Sequence, residues 1–465
     1  MAIHHPGEPK SNEARDLIAE REPLALRTYT PSQLVISRSA GAFHWSADGR
    51  KLYDYTSGVL VTNLGHNPEE WQRRFLGYMG WKGVPAGAGY FEAAPLTAYN
   101  AVASVEAEAV RRLVANLQSK PGGARCQQVL WAASGSEAVQ KALWASLAID
   151  PQRQLIVATR DGFHGKKGLA EAVTGGESDK NRDPRVRFIS FPKEERRDVS
   201  MRNAPFDPTP YAAELAKIEA EHRGKIACLV TEPYLGGGGS FHPPKAYLQL
   251  LQDFCRRNRA VFILDEIQSN FGRTGRMYAF ETYGVEPDIV VLGKGLGNGV
   301  PAAAAVGRAD VFASLGYGEG SDTFSGHPLC CAAVLATLDI FEKQDVLGAA
   351  RRSSAVIEAG LLKMNEVPFV KHVRGEQDGM VWGVEIGEFG GKTANEGACA
   401  CVEAAYRGDS KGRAVHLMGP LAKKVLRIAP PLTITEAEAR ESVEALGACF
   451  LGVAERLQGV SKQAV

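Results

Sequence analysis

The pattern of hydrophobic and polar residues is most regular between about residue 127 and residue 300. Short aliphatic runs alternate there with segments of helical periodicity, and turns rich in glycine or proline separate them. Runs of this length predict buried strands, and their alternation with helices predicts a mostly parallel sheet covered on both faces. The predicted strands are Gln128 to Ala132, Leu155 to Thr159, Val186 to Phe191, Ile226 to Thr231, Val261 to Leu264 and Ile289 to Leu292.

The flanking segments predict further elements. The segment from Gly41 to Gly58 alternates apolar and polar residues around Asp48 and Gly49, which predicts a hairpin. Residues 95–118 carry apolar residues at the spacing of one buried helix face. The C-terminal part is predicted to contain a helix after residue 330, strands near 381–386 and 424–428, and a last helix over 435–457.

A chain of 465 residues exceeds one typical hydrophobic core, so we expect more than one domain. The order of the predicted elements indicates an α/β protein with three parts. Residues 1–70 form an N-terminal arm and hairpin that pack with the small domain. Residues 71–330 form a large domain with the mostly parallel sheet, and residues 331–465 form a smaller C-terminal α/β domain.

Composition excludes several classes of partner. The 54 lysines and arginines nearly balance 53 aspartates and glutamates, and no basic stripe with interleaved aromatic residues is present, so nucleic acid is not expected as a partner. The N-terminal residues lack an apolar core of signal-peptide length, and no apolar run approaches the length of a membrane span. The eight cysteines do not resemble a disulfide framework. We therefore expect a cytoplasmic protein that binds small molecules or copies of itself.

Charged residues follow two of the predicted strands directly. Asp265 and Glu266 come after Val261 to Leu264, and Lys294 follows Ile289 to Leu292 between two glycines. In an open α/β sheet, ligands bind beyond the carboxyl ends of strands, so a carboxylate and an amine there can face one ligand. Either group could instead be a solvated surface residue. However, an aspartate behind a buried strand needs a partner such as a protonated ring nitrogen, and a desolvated lysine is a nucleophile toward aldehydes.

The segment from Ser134 to Glu137 follows a strand and opens a helix. Ser134 and Glu137 have the spacing of a capping box, while the free N–H groups and hydroxyls of a helix start also bind phosphate. The two interpretations are compatible. A phosphate site, an acid for a ring nitrogen and an amine for an aldehyde together match the chemical groups of pyridoxal phosphate.

Further motifs follow one another from about Gly41 to Thr435. They are YDYTSG, LGHNP, SGSEAVQKAL, DGFHG, TEPYLGGGG, LDEIQSNFGRTG, PDIVVLGKGLGNGVP, DTFSGHPL and LRIAPPLTIT. In this order they resemble the class III aminotransferases, which include ornithine, 4-aminobutyrate and ω-amino acid transaminases. The resemblance implies fold type I, pyridoxal 5′-phosphate as cofactor, a ping-pong transfer of an amino group between an amine or amino acid and a keto acid, and a homodimer or larger oligomer with active sites at the interface.

The same resemblance implies roles for individual residues. Lys294 would bind the cofactor aldehyde and move protons, and Asp265 would pair with the pyridine nitrogen. Arg427, in LRIAPPL, would bind a substrate carboxylate, although a structural ion pair is the other option for an arginine on an apolar strand. The remaining cofactor contacts would be Gln268 at the ring hydroxyl, Gly135 and Ser136 at the phosphate, Phe163 stacked on the ring, and Thr323 reaching the phosphate of the neighbouring subunit.

The sequence departs from the family pattern at three positions near the expected pocket. Gly237 stands where several members have a glutamate that pairs with the substrate-binding arginine, so we expect that carboxylate switch to be absent. His327 replaces an asparagine before proline, and Asn270 replaces a glycine. These differences leave the substrate open.

Other functions fit the sequence less well. The glycine clusters do not satisfy G-x-G-x-x-G, the segment GEFGGKT is one residue short of a phosphate loop, no H-E-x-x-H occurs, and the ten histidines are scattered. No metal site is therefore predicted. An aminomutase or decarboxylating transaminase of the same fold, or a non-catalytic cofactor-binding homologue, stays as an alternative.

Overall fold

The computed structural model describes residues 2–26, 28–81, 83 and 89–463. By their internal contacts these residues form two units, the first made of residues up to 68, 197–199 and 346 onward, and the second of residues 69–196 and 200–345.

The strands are β1 (Ile36–Ala40), β2 (Phe43–Ser46), β3 (Lys51–Asp54), β4 (Gln128–Ala132), β5 (Leu155–Thr159), β6 (Val186–Ile189), β7 (Ile226–Thr231), β8 (Val261–Asp265), β9 (Ile289–Leu292), β10 (Ala303–Gly307), β11 (Val370–Gly375), β12 (Trp382–Ile386), β13 (Ala414–His416) and β14 (Val425–Ile428). The α-helices are α1 (Pro9–Arg21), α2 (Ser57–Leu60), α3 (Glu69–Met79), α4 (Ser104–Gln118), α5 (Gly135–Ala148), α6 (Gly168–Ala172), α7 (Thr209–Glu221), α8 (Lys245–Asn258), α9 (Ala279–Tyr283), α10 (Ala309–Phe312), α11 (Pro328–Lys343), α12 (Val346–Lys363), α13 (Ala394–Arg407) and α14 (Glu436–Gln463).

The second unit contains a seven-stranded sheet in the order β4-β10-β9-β8-β7-β5-β6. All six predicted strands are present, and β5 to β9 pair in parallel. The sequence did not predict β10, which pairs antiparallel with β4 and β9. Its run of alanines favours helix by propensity, and pairing between two neighbouring strands outweighs that preference.

Both faces of this sheet are covered, as the sequence predicts. Along β8, Val261 and Ile263 belong to one hydrophobic cluster, whereas Phe262 and Leu264 belong to another. Successive side chains of a strand point to opposite faces, so the two clusters lie on opposite sides of the sheet. The carboxyl end of β8, with Asp265, is therefore fixed by packing from both sides.

The helix predicted over 95–118 is shorter than predicted. Helix α4 begins at Ser104, and Leu96, Tyr99 and Val102 before it are exposed instead of buried. Their apolar spacing indicated a buried face, but Pro95 precedes them and Ala103 has extended backbone, so the helix starts only at residue 104.

The first unit contains two smaller sheets, in the orders β1-β2-β3-β13 and β11-β12-β14. The predicted hairpin is β2 and β3, and the strands predicted near 381–386 and 424–428 are β12 and β14. Parallel pairing of β3 with β13 joins the N-terminal segment to the C-terminal part in one sheet. The domain boundary predicted at residue 330 falls inside α11, and the division between the two units follows that helix at residue 345. Over the described part of the chain, no helix combines the length and hydropathy that a membrane span needs.

Candidate active site

A cavity of about 630 Å³ lies in the second unit, where β8 and β9 end. Six of the residues that the sequence singled out line it together: Gly135, Ser136, Phe163, Asp265, Gln268 and Lys294. These residues are spread over 160 positions of the chain, from 135 to 294, and the parallel sheet brings them to one edge. The cavity therefore gathers the strand-end carboxylate, the strand-end amine and the helix start that the sequence predicted as one site.

Asp265 is the last residue of β8 and is buried. One carboxylate oxygen, Oδ1, accepts the Ile267 N–H at 3.1 Å, and the other, Oδ2, lies 2.7 Å from Nδ1 of His164. His164 is itself fully enclosed; burial opposes its protonation, but the hydrogen bond and the charge of Asp265 outweigh this and raise the pKa of the imidazole. His164 therefore fixes the orientation of the Asp265 carboxylate.

Lys294 follows β9 after one residue, Gly293, and its backbone is in the left-handed region with φ 47°. A side chain other than glycine adopts that region at a cost of about 1 kcal/mol or more, and such strain is common where function requires it. Asn270 stabilises the loop: its Nδ2 donates to the carbonyl of Gly293 at 3.0 Å and to that of Glu266 at 2.6 Å. This amide ties the ends of β8 and β9 together and holds the segment that carries Lys294.

Helix α5 presents its N-terminus to the cavity. Ser134 is the N-cap, and its Oγ accepts the Glu137 N–H at 3.3 Å, while the Glu137 carboxylate accepts the Ala133 N–H at 2.9 Å. The predicted cap is present, although Glu137 reaches Ala133 instead of Ser134. Gly135 and Ser136 follow the cap, and the first N–H groups of a helix have no acceptor within it. Together with Lys166 and Lys167, which also line the cavity, they make this end suitable for an anion.

Two glycines allow the cavity walls to pack closely. A Cβ on Gly165 would lie 2.2 Å from Ser136 Oγ, and one on Gly236 would lie 2.1 Å from Gln268 Oε1. Any larger residue at these positions would displace a side chain that lines the cavity. The glycine-rich segments noted in the sequence thus serve close approach of backbone to the site.

Glu232 also lines the cavity and holds two neighbouring segments in place. Its carboxylate accepts the Phe163 N–H at 2.8 Å and the Gly236 N–H at 3.2 Å, so it holds both the exposed ring of Phe163 and the loop that packs on Gln268. Burial raises the pKa of Glu232 to about 7, with the nearby charge of His164 opposing the rise.

The raised pKa of Glu232 predicts a pH-dependent loss of stability. Because the folded pKa of about 7 exceeds the ordinary 4.5, the folded protein retains a proton that the unfolded chain releases, and stability falls as pH rises through that window. In Glu232→Gln this contribution is absent. We expect the melting temperature of the variant, relative to wild type, to increase between about pH 5 and pH 8.

Thermal unfolding of the two proteins across this pH range measures the difference, in which the titration of groups that do not interact with Glu232 cancels. Glu221→Gln, at a side chain that is 54% exposed, is the matched control. A wild-type and Glu232→Gln pair whose melting curves shift in parallel with pH would refute the assignment.

The cavity fits pyridoxal 5′-phosphate. Its buried carboxylate suits a protonated ring nitrogen, its amine suits an aldehyde, and its helix start suits a phosphate. The Phe163 side chain, 45% exposed, offers a ring face toward which a planar group can stack. The donor set thus suits the ring nitrogen, the aldehyde and the phosphate of the cofactor.

Other predicted residues lie elsewhere. Thr323 is exposed and does not line the cavity, and Arg427 belongs to the first unit, where it is buried on β14 with its Nη2 3.4 Å from Met418 Sδ. Gly237 faces Phe163, with 3.3 Å between the position of its absent Cβ and the Phe163 Cβ. His327 caps α11 by accepting the Leu329 N–H. Neither His327 nor Asn270 is among the residues that line the cavity.

The sequence analysis did not assign a role in the site to His164 or Glu232, and it named Asn270 without its role in positioning Lys294. His164 and Glu232 stand inside quoted motifs, DGFHG and TEPYLGGGG, which was the only available signal. Their contacts join segments that are 101 residues apart for His164 and Asp265 and 69 apart for Glu232 and Phe163. A pattern of local periodicity carries no information on such contacts.

Comparisons with known proteins agree with this geometry. The family model described as aminotransferase class-III matches residues 25–450. An acetylornithine aminotransferase from Methanothermobacter thermautotrophicus is 27% identical over 94% of this chain and 98% of the relative. A 4-aminobutyrate aminotransferase from Escherichia coli is 29% identical over 87% and 91% of the two chains.

Solved structures show the same fold. An amine transaminase from an uncultivated Pseudomonas species, in its pyridoxal phosphate-bound form, superposes with a TM-score of 0.75 at 26% identity and covers 96% of this chain and 98% of its own. The fold type I architecture predicted from the sequence is thereby confirmed.

Proposed function

Because the chain belongs to the class III aminotransferase family and is therefore a pyridoxal 5′-phosphate-dependent transaminase, we propose that the cavity at the ends of β8 and β9 is its active site. In this site, Lys294 and Asp265 are the catalytic residues. The observation that carries the proposal is that Lys294, Asp265 and the N-terminus of α5 line one cavity in an arrangement that matches the cofactor.

When bound, pyridoxal 5′-phosphate supplies an aldehyde that takes up the amino group and a protonated ring that withdraws electrons from the substrate carbon. Asp265, held by His164 and by the Ile267 N–H, stabilises the positive charge on the ring nitrogen. Lys294 Nζ would remove the proton from the carbon that bears the substrate amino group and would deliver it to the cofactor carbon that was the aldehyde. Both residues leave rigid strands, which keeps the acid and the base in fixed positions.

The remaining predicted residues bind the cofactor in this proposal. Gly135 and Ser136 hold the phosphate at the start of α5, with Thr323 of a second copy completing that site. Phe163 stacks on the ring, and Gln268 lies beside the ring hydroxyl. Close packing of Gly236 on Gln268 and of Gly165 on Ser136 supports these positions. His164 acts through Asp265 and is a positioning residue.

We propose a homodimer or larger oligomer. Large apolar side chains exposed on the surface of the second unit support it, because aromatic and other large apolar side chains are common at the core of interfaces. An active monomer in sedimentation would contradict this. The exposed residues are Tyr90, Leu96, Tyr99, Val102, Tyr317 and Phe324.

We place the enzyme in the cytoplasm as a further proposal. Each of the eight cysteines is free, which is usual in a reducing compartment. Fractionation of cells that express the tagged protein tests this placement.

The donor and acceptor are proposed to be an amine or ω-amino acid and a keto acid, with carboxylates bound by Arg427. The LRIAPPL motif and the burial of this arginine support the role. Arg427→Ala is expected to raise KM for carboxylate-bearing reactants about 10- to 100-fold, as loss of a charged hydrogen bond does, while amines that lack a carboxylate keep their KM.

A panel of amines and ω-amino acids, each assayed with two keto acids, measures this difference. Arg352→Ala is the control, since that side chain is exposed on α12. Equal KM changes for charged and uncharged donors would exclude carboxylate binding by Arg427. Product analysis in the same panel, including release of carbon dioxide, distinguishes transamination from decarboxylating or mutase chemistry.

A further inference from the structure

Two of the ten histidines of the sequence meet one aspartate in the first unit. His44 on β2, Asp54 at the end of β3 and His66 in the turn before α3 bring two imidazole nitrogens and one carboxylate oxygen within 4.8 Å of one another. His44 Nε2 lies 3.4 Å and His66 Nε2 lies 2.8 Å from the same oxygen, Asp54 Oδ2. The two imidazole rings are 4.5 Å apart between centroids. The three donor atoms thus face a common point.

The surroundings orient each donor. Asp54 Oδ1 accepts the N–H and the hydroxyl of Thr56, both at 2.7 Å, which leaves Oδ2 directed at the histidines. His44 Nδ1 lies 2.7 Å from Ser39 Oγ, so its Nε2 is directed at the cluster. His66 is fixed through its backbone, which pairs with Gly41 in both directions. Metal-binding histidines and carboxylates characteristically have such outer hydrogen bonds.

We propose that His44, Asp54 and His66 form a binding site for one divalent transition-metal ion of the zinc class. Two imidazoles and one carboxylate are zinc ligands, and a tetrahedral ion with bonds of about 2.0–2.2 Å separates its ligand atoms by about 3.3–3.6 Å. The separation of 3.4 Å at His44 already matches. The contact at His66 widens by about half an ångström when the ion binds.

A third imidazole, that of His416, lies beside the cluster and supports this assignment. His416 on β13 pairs with Asp54 across the sheet, and its ring centroid lies 5.7 Å from that of His44. Among the described residues, its Nδ1 is enclosed and has no hydrogen-bond partner. His416 also lines a cavity of about 790 Å³ that it shares with residues of α1 and the segment after it. His44, Asp54 and His66 do not line this cavity, so it approaches the cluster through His416.

The alternative is a cluster held only by hydrogen bonds, in which both imidazoles donate to Asp54. The two assignments differ in one measurable property, the stoichiometric uptake of zinc. The holoenzyme is freed of metal with a chelator, titrated with zinc chloride by calorimetry, and analysed for zinc by mass spectrometry after dialysis. We expect about one zinc per chain and a rise in the melting temperature.

Variants locate the bound ion. His44→Gln and His66→Asn each remove one ligand and are expected to weaken zinc binding by at least about 100-fold. Ser39→Ala keeps all three ligands but removes the partner of His44 Nδ1, and we expect a loss of about tenfold with the fold retained. His372→Gln is the matched control. His372 is 31% exposed and lies 3.7 Å from Asp198, so it also forms a histidine–aspartate pair. Among the described groups, however, no third ligand joins this pair, so its loss should leave zinc binding unchanged.

Wild-type protein that takes up no stoichiometric zinc would overturn the proposal and assign the cluster to hydrogen bonding. Equal zinc binding by wild type, His44→Gln and His66→Asn would overturn it as well, since the ion would then sit elsewhere, such as at the cofactor. The visible spectrum of the bound cofactor, recorded during the titration, is expected to stay unchanged. Should His44→Gln fail to fold, the tenfold effect of Ser39→Ala decides the question.

Discussion

Turnover of the Lys294→Ala variant is expected to fall by about 10⁴-fold or more, because the change removes both the nucleophile for the aldehyde and the base that moves the proton. Lys294 follows β9 after Gly293, in a strained backbone conformation that Asn270 supports through the Gly293 carbonyl. Two further lysines, Lys166 and Lys167, line the cavity in the described part of the chain, and both do so from the loop before α6. A neighbouring lysine is therefore poorly placed to replace Lys294.

Single-turnover and steady-state assays with any active donor and acceptor measure this loss. Reduction of the wild-type holoenzyme with borohydride should fix the cofactor to the peptide that contains Lys294, and the variant should yield no labelled peptide there. Added small primary amines should restore part of the turnover of the variant, which a distorted fold would prevent. Lys217→Ala, at a side chain that is 75% exposed on α7, is the control. Turnover of Lys294→Ala within about tenfold of wild type would remove the lysine from the mechanism.

The sequence predicted the central sheet well because burial on both faces leaves a strong local signal. The strands β4, β5, β7 and β9 have the predicted bounds, since each is a short, mainly apolar run between turns. Strand β10 was missed because a run of alanines has no β-branched residue until Val306, and only its two neighbours in the sheet determine its conformation. The helix prediction for residues 95–103 was wrong for the opposite reason. The apolar spacing of Leu96, Tyr99 and Val102 indicated a buried helix face, whereas all three side chains are exposed.

The residues of the site also divide into those that the sequence predicted and those that it did not. Asp265 and Lys294 were predictable because a strand end positions them and the strand itself is visible in the sequence. His164 was not, because its contact with Asp265 depends on how the loop after β5 lies against the end of β8. The cluster of His44, Asp54 and His66 is a similar case: three residues within 23 positions appear scattered until β2, β3 and the following turn bring them together. A site residue at the end of one strand can be found from the local sequence pattern, whereas a contact between two loops cannot.

Asp265→Asn is expected to lower kcat by about 10²–10³-fold while cofactor binding changes much less. Asparagine has the same shape and its Oδ1 still accepts the Ile267 N–H, so the cavity keeps its form. It carries no negative charge, however, and therefore cannot stabilise a positive charge on the ring nitrogen when electrons leave the substrate carbon. In addition, its Nδ2 would replace the oxygen that lies 2.7 Å from His164 Nδ1.

Asp288→Asn provides a closely matched control for this prediction. Asp288 is as buried as Asp265, at 4% exposure, but it stands before β9, where it accepts the Phe262 N–H and pairs with Arg125 and Arg308. Loss of its charge should lower the melting temperature and leave kcat unchanged, because breaking a buried ion pair destabilises the fold without touching the site. Cofactor affinity, kcat and thermal unfolding of both variants separate the two effects. If Asp265→Asn behaved like Asp288→Asn, with lower stability and undiminished kcat, Asp265 would be a structural residue and the ring nitrogen would need another partner.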